Sequence, residues 1–321
     1  MTIYRFAIVI FATLLGCAPA LALDKVTLRL DWVYGSEHAP IFLAKEKGFF
    51  TAEGIDVNIL PGEGSTVTVK LVGNRTTEFG YAGADQALMA FGRELPVVST
   101  AVILQKSPSA IIFPSSTGIK SLKDLYGKTL GVQLRSNTEK QWRAVEKIQN
   151  LDTSKIKEVP ADRAIAQLIE NKSIEAGIAF YFNDGLKLVS DGTPMGWILF
   201  SDVGLPIYST ALLTNAELIK ENPDLVRRFT RAFIKGWVYS EEHPKEALDL
   251  FLKANPTVDA KYSALKLPEV LKLTQSDDSK KNGIGHSTKE NWEAMQKALI
   301  DMQLMKAPID VSQVFTNDFI K

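Results

Sequence analysis

A single cysteine, Cys17, stands in a chain of 321 residues, and only three histidines accompany it. One thiol near the N-terminus excludes an internal disulfide framework, so stability has to come from a hydrophobic core, which a chain of this length can supply. His38, His243 and His286 are scattered, no pair of them has ligand spacing, and no metal site is expected. An excess of one charge is missing too: 37 Lys and Arg against 37 Asp and Glu leave zero formal net charge, with the basic residues spread out. That excludes nucleic acid and anionic membrane surfaces as partners. There is no nucleophile elbow, no cysteine with a histidine partner, no HExxH run and no pair of carboxylates in a confined loop. On these grounds the chain is expected not to be an enzyme and to need no cofactor.

Long apolar runs are confined to FAIVIFATLLG, residues 6–16, which is too short to span a membrane. It comes after MTIYR, with one positive charge, and precedes APALA, whose Ala20 and Ala22 suit a signal peptidase. Residues 1–22 therefore read as a cleaved export signal, with a mature periplasmic chain starting near Leu23 or Asp24. Leu14, Leu15, Gly16 and Cys17 are similar to a bacterial lipobox. Either Cys17 is lipidated and anchors the chain, or it is discarded with the signal, as the well-formed APALA site favours.

Beyond Asp24 the chain is rich in alternating elements. KVTLRLDW (25–32) alternates with period two, and APIFLAKEKG reads as a helix with Pro40 in its first turn and Gly48 at its stop. IDVNIL, EFGYAG and PVVSTAVIL read as strands, with STVTVKLVG and DQALMAFGREL as helices between them. From Ser115 to about Ser209 the pattern repeats, with KTLGVQL, IKEVP, EAGIAF and MGWILF as strands. Beyond TALLTN only helices are expected, and they most economically return to the first block. This gives an export segment at 1–22, a first lobe from 23–109 and 210–321, and a second from 110–209. Crossings near Gln105–Phe113 and Tyr208–Asn215 would leave a cleft between the lobes at the carboxyl ends of the strands.

Several residues are placed for that cleft. Trp32 ends the first strand and can stack a flat ring, although its spacing from Leu28 and Leu30 equally fits core packing. In GEGST, Gly64 and Ser65 open a helix whose backbone N–H groups can hold a ligand, and tight turns of this kind are also common without one. GYAGAD contributes Tyr81 and Asp85, the latter equally a helix cap, and RSNTEK contributes Ser136 and Asn137. FYFNDG (180–185) sets aromatics and an amide directly after a strand, which favours a site over packing. Tyr208 in DVGLPIY reaches the cleft from the second crossing, and His38 stands before a helix as a contact or a packing residue.

The chain resembles the periplasmic substrate-binding proteins of bacterial ABC transporters, and among them the branch that takes up the pyrimidine precursor of thiamine. The resemblance rests on LDWVYGSEHAPIFLAKEKGFFTAEGIDV, GYAGAD, IKSLKDLYGKTLGV, AFYFND and DVGLPIYSTALLTNAELIKENPDLVRRFTRAFIKGW. It implies a type II, Venus-flytrap α/β fold of two lobes, each a mainly parallel sheet flanked by helices, acting as a monomer that delivers a small solute to a permease and its ATPase. Carried onto this sequence, Trp32 and Tyr181 would stack the pyrimidine, and Tyr34, Ser36, His38, Asn183 and Tyr208 would be polar contacts, with Asp31 and Asp85 beside them. YGSEH stands where that branch more often shows Pro-Asn, and Asp184 lies beside a usual glutamate. The solute could then be a flavin or another heteroaromatic, or an aliphatic sulfonate, nitrate or aromatic acid. The fungal enzyme that builds the same pyrimidine shares the H-x-P-x-F start, here HAPIF, and uses that histidine with pyridoxal phosphate, iron and a cysteine-rich run. No cysteine follows residue 17, which sets that reading aside.

Overall fold

Alternation of Val26, Leu28 and Leu30 with more exposed neighbours builds the first strand of a computed structural model that describes residues 22–162 and 164–320. The expected export segment, apart from Ala22, and Cys17 lie outside the described residues. Ten strands occur in chain order: β1 (Asp24–Leu30), β2 (Ile55–Leu60), β3 (Phe79–Gly83), β4 (Val97–Val102), β5 (Ser109–Pro114), β6 (Thr129–Val132), β7 (Lys157–Pro160), β8 (Ala176–Phe180), β9 (Met195–Leu199) and β10 (Thr210–Asn215). They form two five-stranded sheets, ordered β2-β1-β3-β10-β4 and β7-β6-β8-β5-β9.

Each sheet contains one strand that runs against its neighbours. In the first, β2, β1 and β3 are parallel while β10 is antiparallel to both β3 and β4. In the second, β7, β6 and β8 are parallel while β5 is antiparallel to both β8 and β9. The reversed strands are the first ones after each crossing. A chain that leaves one sheet at the carboxyl ends of its strands enters the other from that same side, and its next strand must run away from the cleft. The crossings expected at Gln105–Phe113 and Tyr208–Asn215 therefore contain strands. Their periodicity is missing because β10 is buried along its whole length, and β5 along all but its last residue.

The helix Pro223–Glu242 covers the first sheet with Val226, Phe229, Phe233 and Trp237. Phe229 stacks on Phe79 with ring centroids 3.8 Å apart. Gly236 lets this helix meet the helix Ala39–Glu46, since a Cβ there would lie 2.6 Å from both Ala44 Cβ and Pro40 O. The expectation that all the C-terminal helices serve the first block needs one correction. The helix Ala260–Lys272 also packs on the second sheet's turn Tyr181–Gly185 and helix Leu186–Ser190, because Tyr181 donates to Glu269 O at 3.1 Å and Tyr262 to Phe182 O at 2.7 Å. Among the described residues no helix is long and apolar enough to cross a membrane.

Candidate ligand-binding cleft

At the end of β1 the alternation is cut off by a second segment. Gly62 N donates to Trp32 O at 2.8 Å and Gly64 N to Asp31 O at 2.7 Å, so the loop after β2 is pinned across the strand end. Gly62 is required at this contact, because a Cβ would come within 2.0 Å of Leu30 O. Released from the strand, Trp32 leaves the core and is 54% exposed. It faces a cavity of about 400 Å³, within the range of small-ligand sites.

The first sheet's loops line this cavity with Asp31, Trp32, Glu37, Gly64, Ser65, Tyr81 and Asp85. Ser65 Oγ accepts from Gly83 N at 3.0 Å and ties two of these loops together. The buried Tyr81 oxygen makes no hydrogen bond of normal geometry, and burial with the Asp31 carboxylate pushes its pKa well above the ordinary phenol value. The phenol therefore keeps its proton, with Thr210 beside it. Burial raises the Asp85 carboxyl above its usual range, partly offset by the Gln86 amide at 3.0 Å. From the second sheet come Asn137, Thr138 and Gln141 on one helix, Phe180 at the end of β8, and Phe182 and Asn183 just after it. The crossing adds Ile207 and Tyr208, whose hydroxyl accepts from Thr288 N at 3.2 Å and Asn291 Nδ2 at 3.0 Å.

Of the expected contacts, Trp32, Gly64, Ser65, Tyr81, Asp85, Asn137, Asn183 and Tyr208 are lining residues. Five others lie outside the lining. Tyr181 is buried against Trp197, with centroids 4.8 Å apart, because β8 ends at Phe180 and the chain turns into a single π-helical turn. Phe180, 39% exposed, takes the place expected of Tyr181. Tyr34 donates to Ile59 O at 2.9 Å and packs its edge on Phe42. Ser36 is buried in the turn Ser36–His38. Ser136 caps the helix Asn137–Ile148 by accepting from Glu139 N at 3.0 Å. His38 is fully buried, with Nε2 3.0 Å from Asp31 Oδ1. Its Nδ1 accepts from Gly35 N, so Nε2 carries the proton and orients the Asp31 carboxylate from behind.

Sequence reasoning missed Glu37 and Phe180 among the lining residues, along with polar ones such as Thr66, Gln86, Thr138 and Gln141. Glu37 sits 2.7 Å from the buried Lys266. Burial alone would raise its pKa, but the Lys266 ammonium holds it below the usual carboxylate range. Asp31, Glu37 and Asp85 thus give the cavity three carboxylates, and no lysine, arginine or histidine is among the described residues that line it.

A family model described as NMT1/THI5 like matches residues 35–247. The chain belongs to the NMT1/THI5-like family. Its relatives include a riboflavin-binding protein, RibY, of Chloroflexus aurantiacus, 27% identical over 93% of this chain and 86% of that one. A 4-amino-5-hydroxymethyl-2-methylpyrimidine phosphate synthase of Legionella pneumophila is 26% identical over 92% of both chains. A formylaminopyrimidine-binding protein of Halalkalibacterium halodurans is 23% identical over 92% of this chain and 91% of its own. Among solved structures, the periplasmic aliphatic sulphonate binding protein SsuA of Escherichia coli superposes with a TM-score of 0.70 at 12% identity, covering 91% of each chain. The fold is therefore the two-lobed α/β fold of periplasmic binding proteins.

These relatives correct one expectation. The absence of generic catalytic motifs pointed away from an enzyme, yet this family includes proteins named as synthases. A scaffold that holds a pyrimidine can serve binding or synthesis, so missing motifs do not decide between them. The pyridoxal phosphate attached to the fungal branch does not fit this cavity. Its phosphate would meet three carboxylates, and the histidine of HAPIF lies behind Asp31 and outside the lining.

Proposed function

We propose that this chain is an exported solute-binding protein that holds a small, planar, uncharged or cationic nitrogen heterocycle between its lobes and passes it to an ABC permease and ATPase. Lobe I comprises 23–109 and 210–321, lobe II comprises 110–209, residues 1–22 are an export signal, and the protein acts as a monomer. The single observation that carries the ligand class is the polarity of the cavity. Among the described residues three carboxylates and no cation line it, with Trp32 and Phe180 exposed to it from the two sheets. The one cation close by, Lys266, is already paired with Glu37, so a sulfonate or nitrate would face repulsion from Asp31 and Asp85, whereas an aminopyrimidine or flavin offers a flat face to the aromatics and N–H groups to the carboxylates. Relatives named for riboflavin and formylaminopyrimidine support the same class.

Thermal-shift measurements against aminopyrimidines, riboflavin, taurine and nitrate test this. A ligand at 100 times its Kd stabilises the folded state by about 2.7 kcal/mol, a shift of several degrees. The heterocycles are expected to give it; a shift with taurine or nitrate alone overturns the proposal.

The Legionella relative favours a second reading, synthesis of the pyrimidine rather than its capture. Appearance of a new phosphorylated pyrimidine after incubation of the purified chain would establish it.

A further inference from the structure

We infer that Lys266, which does not line the cavity, is the positioning residue that fixes where the site donates and where it accepts hydrogen bonds. The inference rests on reading the cavity as the ligand site. Lys266 lies on the helix Ala260–Lys272 and is only 4% exposed. Its Nζ is 2.7 Å from Glu37 Oε2, donates to Asn183 Oδ1 at 3.0 Å, and sits 4.9 Å from the centre of the Phe182 ring. Glu37 belongs to the loops of the first sheet; Phe182 and Asn183 belong to the turn after β8 in the second. All three line the cavity, so one buried cation holds lining residues from both sides.

The chemistry of lysine makes this arrangement directional. An ammonium group has three donors and no acceptor. The atom of the Asn183 amide that meets it must therefore be oxygen, and the NH₂ group is turned the other way. Tyr262 also approaches that same oxygen, at 3.5 Å, and Nδ2 has no partner among the described residues. Because Asn183 is exposed and lines the cavity, the second sheet's turn presents a donor there. Glu37, paired with Lys266 through Oε2, and Asp31, oriented from behind by His38, both line the cavity as carboxylates, so the first sheet's loops present acceptors. A matching ligand carries a ring nitrogen or carbonyl acceptor on one edge and an amino or N–H group on the other. Without Lys266 the amide is free to turn over, and that polarity is lost.

Isothermal titration of the full chain with 4-amino-5-hydroxymethyl-2-methylpyrimidine tests the inference. Removing Lys266 alone would strand a buried carboxylate, so the informative variant is Glu37→Gln with Lys266→Met, measured against Glu37→Gln alone. The double variant is expected to bind at least about tenfold more weakly than Glu37→Gln, the effect of one misdirected hydrogen bond to a charged or buried group. The loss caused by Asn183→Leu is expected to shrink in that background, because the amide no longer has a fixed direction. Asn183→Asp in the otherwise native chain offers Lys266 the same oxygen but gives the cavity no donor, and it is expected to bind as weakly as Asn183→Leu. Binding by Asn183→Asp equal to the native protein, or an undiminished Asn183→Leu loss in the double variant, overturns the role of Lys266. A native chain that binds neither this pyrimidine nor riboflavin instead removes the reading of the cavity, and this inference with it.

Discussion

Replacing Trp32 with alanine separates binding from stability. Trp32 is 54% exposed and its side chain faces the cavity, so the folded protein without ligand loses little by its removal. Surface changes of this kind stay within about 0.5 kcal/mol. The bound state loses more. One face of a heterocycle covering the indole removes roughly 60 Å² of apolar surface from water, about 1.5 kcal/mol at about 25 cal/mol/Å². Offset stacking adds about 0.5 to 1.5 kcal/mol beyond area. The sum, about 2 to 3 kcal/mol, is a rise in Kd of roughly 30- to 150-fold, given roughly 1.4 kcal/mol for each tenfold step. Titration with riboflavin, followed by flavin fluorescence, reads the affinity, and a thermal melt without ligand reads the stability. Native affinity in Trp32→Ala would refute the stacking role, and a large fall in melting temperature would show that Trp32 belongs to the core after all.

Tyr181→Phe is expected to behave in the opposite way: losing the hydrogen bond to Glu269 O costs about 1 kcal/mol of stability in denaturant titration, with ligand affinity within about twofold of native. Gly62→Ala places a Cβ 2.0 Å from Leu30 O and is expected to weaken both folding and binding, read by urea unfolding and by titration, since the loop must lift off the end of β1. Burial, opposed by Arg143 and reinforced by Glu158, raises Glu146 from 4.5 to about 7. A raised folded pKa means that its stabilising contribution is present in acid and lost as pH rises through that window. Glu146→Gln is therefore expected to flatten the fall in melting temperature between about pH 4.5 and 7.

The strands with one solvated or loosely covered face were legible from alternation, as in β1 and β2, and so were helices with clear stops, such as Ala39–Glu46 before Gly48 at φ 71°. The two reversed strands were not legible. β5 and β10 are buried on both faces, so their apolar runs carry no period and read as crossings. In the site, position just after a strand places Trp32 and Asn183 at the cavity, while Tyr81 reaches it from the middle of β3 among small neighbours. Position after a strand failed for Tyr181, because a single π-helical turn after β8 decides which aromatic of FYF faces out, and no local pattern marks such a turn. Glu37 was missed because its meaning depends on Lys266, far along the chain between Leu265 and Leu267 in the largely apolar stretch ALKLPEVL. A lysine in such a run signals a buried partner but does not say which.

The central claim is that the cavity accepts a heterocycle and rejects anions because Asp31, Glu37 and Asp85 line it with no cation among the described lining residues. Paired calorimetric titrations with 4-amino-5-hydroxymethyl-2-methylpyrimidine and with its phosphate ester test this most directly, since the two ligands differ only in the anionic group. The free pyrimidine is predicted to bind and the ester to bind at least about tenfold more weakly, the effect of roughly 1.4 kcal/mol of repulsion from Asp31 and Asp85, since Lys266 is already paired with Glu37. Tighter binding of the ester would contradict the account.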